Sequence, residues 1–265
     1  MIYREALRTR GPECGPDRWV TLPSVISYME SCRWEWLRQP QLGLIDAIHQ
    51  GHGFYVLNQT IAMSRRFGQG TDAHTRGVLR SVGRTRAGAA QDIVRDDGVL
   101  LAHCVIDGVW VGPTGRLARI PALFKETLST VELTSERGVS EPREPDSLFN
   151  PPQPLRPGEL DLTIEVDIPD QTDRREVEVR SSDCDMFRHV NAANYLRYVA
   201  DSLALQGASA SIHRAALKYV GQARATDKVQ VLTWHVANER WGAAVVRGDD
   251  ILFRALVETE HMPHE

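Results

Sequence analysis

The chain has 265 residues, 42% of them hydrophobic and 25% charged, with a formal charge of −4. This is the composition of a folded globular protein long enough for one large domain or two ordinary ones, and its acidic balance gives no reason to expect a nucleic-acid partner. No apolar run reaches membrane-spanning length, the stretch Met1–Arg8 lacks the apolar core of a signal peptide, and the four cysteines show neither CxxC nor zinc-ligand spacing. The expectation is a cytoplasmic protein with reduced thiols and no metal.

Residues 1–20 read as a strand that ends in the loop Gly11–Asp17. Thr21 is placed to cap a helix whose first turn holds Pro23, and Val25, Tyr28, Met29, Cys32, Trp36 and Leu37 recur at helical spacing. Pro40 and Gly43 stop it, and a short helical piece is expected over Leu44–His49. Strands are then predicted over 54–63, 77–85, 87–94, 99–106 and 109–111, with Asp96-Asp97-Gly98 as a hairpin turn. Six prolines between 142 and 157 mark residues 135–160 as a linker.

After the linker the order repeats. Strands are expected at 160–168 and 176–180, then a loop through Asp183–Asn191. A helix follows, with Tyr195, Leu196, Val199 and Leu203 on one face, and Gly207 ends it. Four strands over 215–220, 228–236, 241–247 and 251–259 finish the chain. Gly70-Thr71-Asp72 is echoed by Ala225-Thr226-Asp227, and Arg95–Leu100 by Arg247–Leu252. Self-similarity at this length predicts two copies of one α+β unit, residues 1–134 and 161–265, each a long helix on an antiparallel meander. A lone copy would leave sheet edges and apolar surface open, so the two should pair.

The chemistry is expected in Asp183-Cys184-Asp185-Met186-Phe187-Arg188-His189-Val190-Asn191, where carboxylates and a histidine stand at a helix start with its free N–H donors. Asp183 reads as a turn cap, and Asn191 first as the helix N-cap. Cys184 is a poor nucleophile, because two flanking carboxylates disfavour its thiolate. The first copy has Trp19-Val20-Thr21 near the place of His-Val-Asn, so one site per chain is expected. Trp19, Trp34, Trp36, Phe54 and Tyr55 are candidates for a pocket wall, although each also fits ordinary core. Arginines 65, 66, 76, 80, 84 and 86 face Asp72 alone in that run, a basic stretch suited to an acidic partner or simply to solvent.

The motif Asp183-Cys184-Asp185…His189-Val190-Asn191…Asn194-Tyr195 resembles that of hotdog acyl-thioester hydrolases. The entry to the first helix resembles the N-terminal unit of plant and bacterial acyl-acyl-carrier-protein thioesterases, and Arg119-Ile120-Pro121 the segment that closes that unit. The resemblance implies a double hotdog without cofactor. It also implies a catalytic Asp185 acting as general base or nucleophile, His189 orienting it or binding the carbonyl, Asn191 positioning substrate or water, and a fatty-acyl or polyketide-like group on acyl carrier protein or coenzyme A. A homodimer is compatible with it. Two positions depart from the family pattern: Phe187 stands where an asparagine is usual, and Gln222 where a glutamate is usual, so that Gln222 is a candidate site residue able to hold water by hydrogen bonds but not to act as a base. A hotdog dehydratase or hydratase and a non-catalytic acyl-thioester-binding protein are the alternatives.

Overall fold

The computed structural model describes residues 2–122, 167–207 and 211–259. The linker and the strand predicted from residue 160 lie outside them, apart from 167–168, which are not in a strand. The elements are β1 (Ile2–Arg8), α1 (Leu22–Leu37), α2 (Ile45–His49), β2 (Gly53–Met63), β3 (Asp72–Val82), β4 (Arg86–Arg95) and β5 (Leu100–Val111) in the first copy. The second holds β6 (Asp173–Glu178), α3 (Ala192–Leu205), β7 (Ile212–Tyr219), β8 (Lys228–Ala237), β9 (Arg240–Arg247) and β10 (Asp250–Thr259).

All ten strands form one antiparallel sheet in the order β1-β3-β4-β5-β2-β7-β10-β9-β8-β6. Read from either end, the order is the same once each strand is exchanged for its counterpart. The two copies meet at β2 and β7, where Asn58 to Ala62 pair with Lys218 to Arg214. This is the double-hotdog arrangement that the motif implies. Each copy completes its neighbour's sheet edge, and the main-chain groups there are paired rather than left open.

The helices follow from their caps. Thr21 Oγ1 accepts from Ser24 N–H, and Pro23 sits in the first turn, where its missing N–H costs nothing. In α3, Asn191 Oδ1 accepts from Ala193 N–H at 2.9 Å. Val25, Ile26 and Met29 of α1 and Leu196, Val199 and Leu203 of α3 are fully buried. Each such side chain contributes roughly 1.5–3 kcal/mol of transfer free energy. The two helices pack against each other, α1 also against β1, β3 and β4 and α3 against β8 and β9.

Two strands differ from expectation. The segments predicted at 99–106 and 109–111 are one strand, β5, running through Asp107-Gly108 with a register shift opposite β2. Gly108 is required there: a Cβ would lie 2.4 Å from the Tyr55 carbonyl oxygen and 2.6 Å from the Phe54 ring. It is a place where backbone and ring approach closely, not a turn. β3 begins at Asp72, five residues before the expected start, because pairing with β1 recruits the polar residues Asp72 to Arg76. The tandem echo is also shifted by one. Gly70 and Thr226 hold the same left-handed conformation, φ +80° and +74°, and donate to Thr9 and Val179 respectively, so Gly70 matches Thr226, not Ala225.

Candidate active site

The entry to α3 is a tight loop whose hydrogen bonds repeat those at the entry to α1. Asp185 N–H donates to His189 O, Arg188 N–H to Asp185 O, Asn191 N–H to Asp183 O and Val190 N–H to Ala223 O. In the first copy Gly15, Arg18, Thr21 and Val20 donate to Trp19, Gly15, Glu13 and Phe67. Arg18 and Arg188 share the left-handed backbone, φ +67° and +63°. Tyr28 and Tyr198 donate their hydroxyls to Glu13 and Asp183 from the following helix. The scaffold is duplicated and the chemistry is not: Gly15, Trp19 and Thr21 stand where the second copy has Asp185, His189 and Asn191.

Asp183 is thereby a structural residue. Its Oδ2 accepts from Arg180 N–H at 2.9 Å and Tyr198 Oη at 2.8 Å. Burial, helped by Asp183, Asp185 and Asp227, pushes the Cys184 thiol up and keeps it a poor nucleophile.

Asp185 Oδ1 accepts from the N–H groups of Phe187 at 2.8 Å and His189 at 3.2 Å. These two bonds fix the carboxylate, and among the described residues Oδ2 has no protein partner. The carboxylate lines a cleft of about 800 Å³ that it shares with Glu30, Arg33, Tyr55, His189 and Gln222. Ala192, the first residue of α3, also lines it. Its N–H has no acceptor within the helix, because the first four amides of a helix have none.

His189 Nε2 lies 3.4 Å from the Arg224 guanidinium. An arginine only donates, so Nε2 is the acceptor and Nδ1 carries the proton of the neutral ring. That Nδ1 is buried without a hydrogen-bond partner. Burial holds the His189 pKa below its ordinary value; Arg224 adds to this and Asp185 opposes it. Burial, with Asp185 adding to it, also pushes the Tyr55 hydroxyl up.

Phe187 inserts between the copies. Its ring lies 5.7 Å from those of Trp34 and Tyr55, and a Cβ on Gly53 would stand 3.1 Å from its Cζ. In place of a polar group this position carries an apolar wedge that fastens the loop to α1 and β2. Gln222 reaches the cleft at its exposed rim, while its backbone carbonyl accepts from Arg247. The next residue, Ala223, donates its N–H to Tyr195 Oη at 2.9 Å, and burial raises that hydroxyl to about 12.

Asn191 does not line the cleft. Its Oδ1 caps α3, and its Nδ2 donates to Glu30 Oε2 at 2.8 Å. It thus ties the two copies together beneath the site, a task that keeps both ends of its amide engaged. Of the aromatic candidates, Trp34, Phe54 and Tyr55 line the cleft. Trp36 lines a neighbouring apolar pocket, and Trp19 is largely exposed near Gly68. The basic run is no uniform face, since Arg76 pairs with Asp92 and Arg86 with Asp107 while Arg65 and Arg84 are exposed. Among the described residues no group of three His, Cys, Asp or Glu side chains is placed to hold a metal.

Glu30, Arg33 and Arg224 were not singled out from sequence. The first two lie on α1 beside its apolar stripe; Arg33 is held by Gln91 of its own copy, and Glu30 meets Asn191 of the other.

Residues 167–249 match the family model of the acyl-ACP thioesterase C-terminal domain. Over this span the C-terminal unit is similar to that domain. Solved structures extend the likeness to the whole chain. A protein described as an oleoyl thioesterase from Lactobacillus plantarum superposes with a TM-score of 0.78 at 19% identity, over 100% of this chain and 98% of that one. The 12:0-ACP thioesterase of Umbellularia californica gives 0.70 at 16% identity, over 98% and 97%. An acyl-ACP thioesterase from Bacteroides thetaiotaomicron gives 0.72 at 14% identity, over 98% of each. A comparison of the sequence with curated proteins finds no match. At these identities the structures establish the double-hotdog fold, and the loop at 183–191 lies within the matched span. No helix among the described residues is long and apolar enough to cross a membrane.

Proposed function

We propose that the chain hydrolyses an acyl thioester presented by acyl carrier protein or coenzyme A, with Asp185 as general base. The observation that carries this reading is the Asp185 carboxylate, which lines the cleft and is anchored through Oδ1 by two backbone amides while Oδ2 has no protein partner among the described residues. Such anchoring fixes a base at the position from which it must act.

In this mechanism the thioester carbonyl carbon lies over the start of α3. Oδ2 takes a proton from a water as that water's oxygen bonds to the carbon. The carbonyl oxygen becomes an oxyanion facing the Ala192 amide, where the helix terminus favours negative charge, and the buried Nδ1–H of His189 is a second donor to it. Collapse re-forms the carbonyl and breaks the C–S bond. The proton returns from Asp185 to the departing sulfur, giving a free acid and a thiol. Gln222, able to hydrogen-bond but not to titrate, holds the water at the rim.

Thiol release from a panel of acyl thioesters tests the proposal, with Asp185→Asn as the control. Turnover that survives Asp185→Asn would refute the assignment. A single turnover in ¹⁸O-labelled water that leaves label in Asp185 would replace the general base by a nucleophile whose anhydride is opened at the Asp185 carbon, since a general base leaves label only in the product acid. We also place the activity in the cytoplasm, as the sequence reading expects.

A further inference from the structure

Arg33 is the most unusual group in the cleft. It lies in the middle of α1, is only 7% exposed, and no carboxylate pairs with it among the described residues. Its one hydrogen bond runs from Nη1 to Gln91 Oε1 at 2.6 Å, and Gln91 is held in turn by donating to Met29 O at 2.8 Å. A neutral amide does not cancel a buried charge. An arginine carries five N–H donors, so most of its donor capacity is unused.

Its position gives that capacity a direction. Arg33 lines both the cleft that holds Asp185 and a second pocket of about 470 Å³. The two share only Arg33, Leu37 and Phe54. Beyond that junction the second pocket is walled by Trp36, Leu44, Leu79, Ile106, Trp110 and Ile120, with no charged side chain but that of Arg33, and with one buried indole N–H, on Trp36, that has no partner among the described residues. An acyl chain that starts at Asp185 and runs into the second pocket would cross where Arg33, Leu37 and Phe54 line both.

Resting on the thioesterase reading, we infer that Arg33 is a specificity residue that binds an uncharged oxygen on the acyl chain, so that the substrates are keto- or hydroxy-acyl thioesters with an apolar end. A plain alkyl chain would bury the guanidinium against methylene groups and leave its donors unmade, which is costly in a dry site. A carboxylate on the chain is the poorer match, because Glu30 and Asp185 already place two acidic groups in the same cleft against one arginine and a neutral His189.

The test compares the coenzyme A thioester of octanoate with octanoyl thioesters bearing a keto or hydroxyl group at successive carbons, and one ending in a carboxylate. Thiol release is followed for the wild-type chain and for Arg33→Met, which keeps a long apolar side chain. At one or more positions the oxygenated chain should exceed the plain chain in kcat/KM by about ten-fold or more, the range of a hydrogen bond to a charged group. In Arg33→Met the ratio should fall close to one, and Arg33→Lys should restore part of it. Equal kcat/KM for plain and oxygenated chains in the wild type would overturn the inference. So would a ratio unchanged in Arg33→Met, the outcome if Arg33 only braces Gln91 and slows all thioesters alike. Should Arg33→Met fail to fold, the wild-type ratio decides alone. If no thioester is cleaved at all, the thioesterase reading fails. The inference is then read from the wild-type melting temperature with the free acids, where equal shifts by plain and oxygenated acids would overturn it.

Discussion

Replacing Asn191 by alanine separates two functions that the structure gives one side chain. The change removes the acceptor for Ala193 N–H, a helix cap contributing about 1 kcal/mol. It also removes the donor to Glu30, a bond to a carboxylate contributing about 1.5 kcal/mol at the low end for charged partners, since both groups are only partly buried. The expected loss is about 2.5 kcal/mol, or a fall of about 5–10 °C in melting temperature for a chain of this size. Urea unfolding and thermal melts measure it. Asn191→Ser keeps a cap and loses only the tie, so it should cost about 1.5 kcal/mol. On a Glu30→Ala background the tie is already gone, and Asn191→Ser should then cost close to nothing, the signature of a coupled pair. An Asn191→Ala loss below about 0.5 kcal/mol, or an Asn191→Ser loss that is the same with and without Glu30, would refute the argument. If Asn191→Ser behaves as described in unfolding yet abolishes turnover, the residue takes part in the chemistry after all.

Asp185→Asn should lower kcat by about 10²–10⁴-fold in a thiol-release assay with little change in melting temperature, because an amide oxygen still accepts from Phe187 and His189. The His189 pKa is held below its ordinary 6.5, and protonation would place two cations together at Nε2 and Arg224, so kcat/KM should fall at acid pH as His189 gains a proton. Arg224→Ala removes one cause of the lowering and should move that acid limb to higher pH in a pH–rate profile. The same sign governs stability: a histidine kept neutral by burial favours the folded state above its unfolded pKa, and this contribution is lost as pH falls. Thr226, a β-branched residue at φ +74°, should gain about 1 kcal/mol on Thr226→Gly, read as a higher urea midpoint, since Gly70 adopts that conformation without strain in the first copy.

Much of the fold is written locally. Thr21, Pro23 and Asn191 fix the helix starts, Asp96-Asp97-Gly98 turns a hairpin, and the tandem echo announces a duplication. What local pattern misses is what depends on distant partners. Gly108 looks like a break until the Phe54 ring it must clear is known. The polar start of β3 becomes strand only because β1 lies beside it. For the site, Asp185 and His189 are legible because the loop carries them together. Glu30 and Arg33 precede them by more than 150 residues and flank an apolar stripe, so nothing local marks them as facing a cavity. Asn191 was given a possible chemical role by its motif and a cap role by its spacing. The structure adds the bond to Glu30, which neither predicted.

The central seam between β2 and β7 has an evolutionary consequence. When two identical subunits associate, every substitution appears twice, and a change that reshapes one mouth reshapes the other. Fusing the copies into one polypeptide removes that constraint, as the duplicated loops show: one has drifted to glycine, tryptophan and threonine while its twin holds an acid and an imidazole. On the proposed mechanism, selectivity through Arg33 and the aromatic wall can then be tuned on the half that lacks Asp185 and His189. A library of N-terminal halves grafted onto a single C-terminal half would be a direct way to draw new acyl preferences from an unchanged reaction centre.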